Sequence, residues 1–206
     1  MPVLYSYRRC PYAMRARMGL NYASINVEIR EISFRNKPKH LLMISPKATV
    51  PVLVLSDHEI IDESLDILFW ALNKKDVDGW LTPNIQAAKS LIVENDTRFK
   101  AVLDAYKYPE RNLESTQVGH RAKGEIFLRK LEALLEKSLS KESPGLFGDL
   151  PTLADIAIFP FVRQFRGVDS DWFDASPYPK LNAWLTTLVE SELFASIMQK
   201  HPTYTD

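Results

Sequence analysis

Hydrophobic and polar positions follow different periods along this chain, and the change of period divides it. Val3, Leu4 and Tyr5 make a short, β-prone apolar run, and the turn-like stretch 6–9 follows. From Pro11 onward, Tyr12, Met14, Ala16, Met18 and Tyr22 sit among good helix formers and predict a helix to about Ala23. Residues 26–32 alternate polar and apolar, as a half-buried strand does. Leu41, Leu42 and Ile44 follow a Lys-Pro start and predict a short helix over 36–45. Val50-Pro51-Val52-Leu53-Val54-Leu55 reads as a buried strand, and a turn over 56–59 leads into Ile60-Ile61. Leu65, Leu68, Phe69 and Leu72 then recur at i, i+3, i+4 and i+7, the spacing of a core-facing helix. The order is βαβ, then αββα.

Residues 73–83 are polar, with Gly79 and Pro83, and beyond them no segment reads as a sheet. Long helical patterns cover 85–106 and 114–137, the second carrying Phe127, Leu131, Leu134 and Leu135 on one stripe. Ser143-Pro144-Gly145 closes that region. Residues 154–165 are apolar on nearly every side, which suits a helix at the centre of a helical domain. Leu181, Trp184, Leu185 and Leu188 give one further amphipathic helix. The fold class is therefore α/β plus all-α, with an α/β domain over residues 1–75 and an all-helical domain over 82–206. Thr152-Leu153-Ala154-Asp155 has the spacing of a capping box, a structural feature, and Pro160 should kink the helix behind it.

Lys+Arg and Asp+Glu both number 26, so net charge offers no argument for nucleic acid or an anionic membrane surface. The apolar runs are too short to span a bilayer. No basic leader precedes the first apolar run, so a signal peptide is not expected and the cytoplasm is the default location. His40, His58, His120 and His201 show no paired metal spacing and read as solvated surface, so no metal site is expected. The one composition figure that redirects attention is a single cysteine. It cannot form an intrachain disulfide, and it must be read for reactivity.

Cys10 precedes Pro11, and proline favours the first position of a helix. Cys10 is thereby placed as the N-cap, over the positive end of the helix dipole. Arg8 and Arg9 precede it, and Arg15 and Arg17 follow. Each of these favours the nucleophilic thiolate over the thiol. In Cys10-Pro11-Tyr12-Ala13 an alanine stands where a Cys-x-x-Cys pair would have its resolving thiol, so an oxidised Cys10 needs an external thiol to reset it. Val50-Pro51 at the start of a buried strand suggests a cis bond that leaves the Val50 backbone open to an extended peptide. Asp62-Glu63-Ser64 opens the next helix. There Ser64 and the first N–H groups suit a carboxylate, and Glu63 suits an ammonium group.

Arg-Arg-Cys-Pro-Tyr after a strand, Lys37-Pro38, Val50-Pro51-Val52-Leu53, Asp62-Glu63-Ser64 and an all-α remainder resemble the cytosolic glutathione transferase superfamily over essentially the whole chain. Within it the cysteine-type classes are most similar, namely the omega transferases, the dehydroascorbate reductases and the bacterial two-domain glutaredoxin. The resemblance implies a thioredoxin-like first domain that holds glutathione as co-substrate, and a helical second domain that shapes the pocket for its partner. It implies Cys10 as the catalytic thiol, Val50 pairing with the cysteinyl backbone of glutathione, and Pro51 as the cis proline. Glu63 and Ser64 would bind the γ-glutamyl end, and Lys37 would meet the glycine carboxylate. It implies a homodimer and a small-molecule or protein-thiol co-substrate. The expected activity is glutathione-dependent thiol transfer (deglutathionylation, with dehydroascorbate reduction fitting the same nucleophile). The rivals are a conjugating transferase that uses a hydroxyl near the first strand, Ser6 or Tyr7, and a non-catalytic interaction module of the same fold. Tyr106, Tyr108, Arg163, Arg166 and Trp172 are candidates for the co-substrate side, by their placement in the helical domain alone.

Overall fold

A computed structural model describes residues 1–56, 59–81, 84–139 and 144–205. The first unit is built on a four-stranded sheet. Its strands are β1 (Val3–Ser6), β2 (Glu28–Glu31), β3 (Val52–Ser56) and β4 (Glu59–Ile61), in the spatial order β2-β1-β3-β4. β1 runs parallel to β2, with Val3 opposite Glu28, and antiparallel to β3, with Tyr5 opposite Val52. A parallel pair needs a crossover, and α1 (Pro11–Tyr22) supplies it. α2 (Lys39–Ile44) and α3 (Ser64–Lys74) complete the expected βαβ, αββα order. The expected turn over 56–59 includes Asp57 and His58, which lie outside the described residues.

Strand side chains alternate between faces, and the core divides accordingly. Leu4 and Leu53 pack with Ala16, Leu20, Ile67 and Ala71 of α1 and α3. Their neighbours Tyr5 and Val52 pack with Ile32, Leu41 and Val50. α1 lies so close to α3 that a Cβ on Gly19 would sit 2.5 Å from Cδ1 of Leu68 and 3.3 Å from its Cα. Nine of the 12 residues of α1 are buried, among them Arg15 and Arg17.

The second unit holds α4 (Ile85–Glu94), a π turn (Asn95–Phe99), α5 (Lys100–Lys107), a 3-10 turn (Pro109–Arg111) and α6 (Gln117–Leu135). α7 (Leu153–Arg166), α8 (Ser170–Asp174) and α9 (Pro179–Glu190) follow. The helix expected over 85–106 is thus two helices joined through one wide turn. Eleven of the 14 residues of α7 are buried, and it continues through Pro160 as one helix. Its capping box is present. Thr152 N–H donates to Oδ2 of Asp155 at 2.8 Å, while the Thr152 hydroxyl accepts from the Asp155 backbone N–H. Asp155 also accepts from Leu146 N–H at 2.9 Å and from Trp184 Nε1 at 2.7 Å, so one fully buried carboxylate joins a loop, α7 and α9. Burial pushes this carboxyl up to about 6, against the donors that hold it down. Ser143 and the expected domain start at Thr82 lie outside the described residues.

The chain end departs from the expected all-helical domain over 82–206. The compact units are Met1–Asp78 together with Ser191–Asp206, and Gly79–Glu190. After Ser191 caps α10 (Glu192–Ile197), that helix packs on α1. The tail then reaches the sheet, where Thr203 bridges Glu31 and Tyr204 N–H donates to the Glu31 carbonyl at 2.8 Å. The Tyr204 ring meets Tyr5 edge-on at 6.2 Å and lies 4.4 Å from the Arg30 guanidinium. Among the described residues, no helix is long and apolar enough to cross a membrane.

Of the histidines read as surface, one is buried and one is half-buried. His120 is buried on α6, its Nε2 3.0 Å from the Asn112 carbonyl. His40 is half-buried, its Nδ1 2.7 Å from the Tyr5 hydroxyl. His201 is exposed, and His58 lies outside the described residues.

Candidate active site

β1 ends at Ser6, and the chain turns so that Cys10 N–H donates to the Tyr7 carbonyl at 3.0 Å. Pro11 takes the first helical position, which needs no N–H. Cys10 therefore becomes the N-cap of α1, with φ −76° and ψ 123°. Its own carbonyl accepts from Met14 N–H at 2.9 Å. The thiol is half-buried beside the Tyr5, Ile32, Leu41 and Val50 cluster and does not cap its helix. Its Sγ instead lies 3.8 Å from the Val50 carbonyl, a long S–H···O contact. Val50–Pro51 is a cis peptide, and β3 begins directly after it. Two positions forty residues apart in sequence thus share one spot at the sheet end.

The cationic residues around Cys10 divide by burial. Arg17 lies inside, donating to Oγ of Ser6 at 3.2 Å and to the Arg8 carbonyl at 2.7 Å. Burial lowers its guanidinium to about 10, while the nearby acidic groups Glu31 and Cys10 act to raise it, so it is a cation at neutral pH. Ser6 is fully buried and engaged by this arginine. Tyr7 is half-buried, and its hydroxyl accepts from Nη2 of Arg9 at 3.0 Å.

Arg15 has a different partner. Its Nη1 donates to Oγ of Ser64 at 3.2 Å, both residues being buried. Glu63 rather than Ser64 is the N-cap of α3, and Ser64 is its first helical residue. The exposed Glu63 carboxylate is bonded by Lys47, which also stands 3.6 Å from Asp62. That contact raises the Lys47 ammonium above its ordinary range. Lys37 precedes α2, half-buried, with its Nζ 5.9 Å from the centre of the Phe34 ring.

Cys10 and Val50 are therefore brought into contact, and Ser64 is tied to the Cys10 helix through Arg15. Glu63 is held by Lys47, and Lys37 stands against Phe34. Sequence reasoning missed Arg15 as the partner of Ser64 and missed Lys47 altogether. The basic residue five positions after the N-cap, on a helix without a polar face, was the available signal for the first. In the helical unit, Tyr106 is buried and Arg166 is paired with Asp174 through two bonds of 2.6 Å. Trp172 carries the Arg121 guanidinium 4.4 Å from its ring centre, and Tyr108 lies between Lys107 and Arg111. Arg163 is half-buried.

A family model for the glutathione S-transferase N-terminal domain matches residues 4–78, and one for the C-terminal domain matches residues 119–187. Mouse glutathione S-transferase omega-1 is 24% identical over 204 residues, covering 98% of this chain and 82% of the relative. The solved structure of glutathione transferase Omega 3C from Trametes versicolor is similar at a TM-score of 0.75 and 20% identity, over 98% of this chain and 90% of that one. A Pseudomonas fluorescens family member, solved with two glutathione bound, matches at a TM-score of 0.78 and 17% identity, over 96% and 92%. With a four-stranded mixed sheet followed by a helical unit, the chain belongs to the glutathione S-transferase family of enzymes.

Proposed function

We propose that the protein is a glutathione-dependent thiol transferase with Cys10 as nucleophile. One observation carries this reading. The single thiol of the chain stands partly exposed at the N-terminus of a 12-residue helix, with its side chain not spent on capping. The positive end of the helix dipole and the buried Arg17 cation favour a thiolate, while the Val50 carbonyl favours the thiol proton. The ionised sulfur attacks the glutathionyl sulfur of a mixed disulfide. A Cys10–glutathione bond forms, the old S–S bond breaks, and the partner leaves as a thiolate that takes up a proton. A second glutathione thiolate then attacks the glutathionyl sulfur, oxidised glutathione departs, and Cys10 returns as thiolate. The cycle needs no second cysteine, as Ala13 requires.

Val50 would pair with the cysteinyl backbone of glutathione, with Pro51 fixing the turn. Ser64, Glu63 and Lys37 would take its charged ends. Glu63 would exchange Lys47 for the γ-glutamyl ammonium. A reducing compartment such as the cytoplasm keeps the nucleophile available. The burial of Ser6 under Arg17 weighs against hydroxyl-based conjugation. Cys10→Ala, assayed on the mixed disulfide of glutathione and 2-mercaptoethanol and on a chloronitroarene electrophile, decides between the two. Thiol transfer is expected to vanish while any conjugation persists. Retention of thiol transfer overturns the proposal.

A further inference from the structure

Beside the turn that ends on Cys10, a cleft of about 550 Å³ opens between that turn, the residues after β2 and the chain end. Its wall carries the cations Arg8, Arg9, Arg35 and Lys200 and one acid, Glu31. Among the described residues, no carboxylate pairs with the side chains of Arg8, Arg35 or Lys200. Glu31 is 8% exposed, and its Oε1 is bound by Arg8 N–H at 2.7 Å. Its Oε2 is buried and has no hydrogen-bond partner. Both oxygens of this one acid are thus withheld from the cleft, whose wall is otherwise dominated by positive charge.

Resting on the thiol-transfer reading, we propose that this cleft seats the non-glutathione half of the disulfide, and that it selects small thiols bearing carboxylates. The cations receive the carboxylates. Chain connectivity sets the reach. Tyr7 and Arg9 line the cleft, the Tyr7 carbonyl holds Cys10 N–H at 3.0 Å, and Ile32 of the wall packs in the same cluster as Cys10. A leaving thiolate next to Cys10 thus has its acidic groups directed toward Arg35 and Lys200. The remaining cations also stabilise the negative charge that the leaving sulfur acquires.

The test compares mixed disulfides of glutathione with mercaptosuccinate, 2-mercaptoethanol and cysteamine, whose leaving halves are anionic, neutral and cationic. Wild-type kcat/KM is expected to fall in that order. The double variant R35E/K200E should lower the preference for the anionic over the neutral disulfide by about tenfold or more. Calorimetric binding of tricarballylate, a tricarboxylate without sulfur, gives a readout that does not depend on Cys10 chemistry. It should bind the wild-type chain and the Cys10→Ala variant alike and be lost in R35E/K200E. Equal kcat/KM for the three disulfides, or tricarballylate binding unmoved by the double variant, overturns the cleft assignment. Tricarballylate binding that follows these charges in a protein without thiol transfer would instead overturn only the activity on which the substrate reading rests.

Discussion

Nη1 of Arg15 donates to Oγ of Ser64 at 3.2 Å, joining the helix that begins at Cys10 to the first residue of the next helix. Both side chains are buried, so the bond is made out of reach of solvent competition. Arg15 is in this sense a positioning residue for the proposed γ-glutamyl site. Arg15→Met keeps most of the volume while removing charge and donor, and such buried replacements often leave stability within about 1–2 kcal/mol. The expected outcome is a KM for glutathione raised by about tenfold, as for lost supporting contacts elsewhere, with kcat changed much less. A kcat loss at constant KM would show that Arg15 does not act through binding.

Gly19 provides a test of the packing behind the site. A Cβ there meets Leu68, whose side chain is itself fully buried and has little room to yield. Overpacking costs about 1–3 kcal/mol, and the helix propensity of alanine returns at most about 1 kcal/mol. Gly19→Ala should therefore lower stability to denaturant. Adding Leu68→Ala should bring a non-additive recovery in a double-mutant cycle, and strict additivity would show that the two helices do not meet there.

The order of elements was legible because each β-α alternation in the first unit changes the hydrophobic period, and α7 is apolar on nearly every side. Cys10 was legible as an N-cap because Pro11 follows it. The placement of Arg15 and Arg17 was not. α1 is buried on most of its circumference, between the sheet, α3 and α10, so no polar face tells which arginine goes inside. His120 is hidden because Gly124, which carries no side chain, interrupts the apolar stripe of Phe127, Leu131 and Leu135, although the same buried face continues back to 120. The tail was missed for a different reason. Its six-residue helix and single bridge are too short to carry a period, and only long-range pairing places them.

Asp155 gives a pH signature. Its folded value of about 6 lies above the ordinary 3.8, so between those limits the folded chain keeps a proton that the unfolded chain has lost. Stability from this group is therefore fullest below about pH 4, falls as pH rises to about 6, and is flat beyond. Relative to Asp155→Asn, which cannot titrate, the wild type should lose on the order of 3 kcal/mol across that window. Denaturant titrations at pH 4, 5, 6 and 7 read this directly. A constant difference between the two proteins would mean that the carboxyl titrates alike folded and unfolded.

Tyr204 is expected to matter for the first unit although it stands near the end of the chain. Its ring meets Tyr5 edge-on and lies 4.4 Å from Arg30. Removing an aromatic pair and a cation–π contact costs about 1–2 kcal/mol together. Tyr204→Ala should lower the unfolding midpoint measured by a probe in the first unit, whereas an unchanged midpoint would show the tail to be loosely held.

The bridge between Thr203 and Glu31 has a consequence for colloidal behaviour. β2 is the outermost strand on its side of the sheet, and an uncovered strand of that kind is a template for another chain's backbone. With Tyr204 N–H already donating to the Glu31 carbonyl, an incoming strand must first peel this segment away. Loss of the tail contact would thus expose a sticky ladder, and intermolecular β-pairing, rather than unfolding, would be the first visible sign.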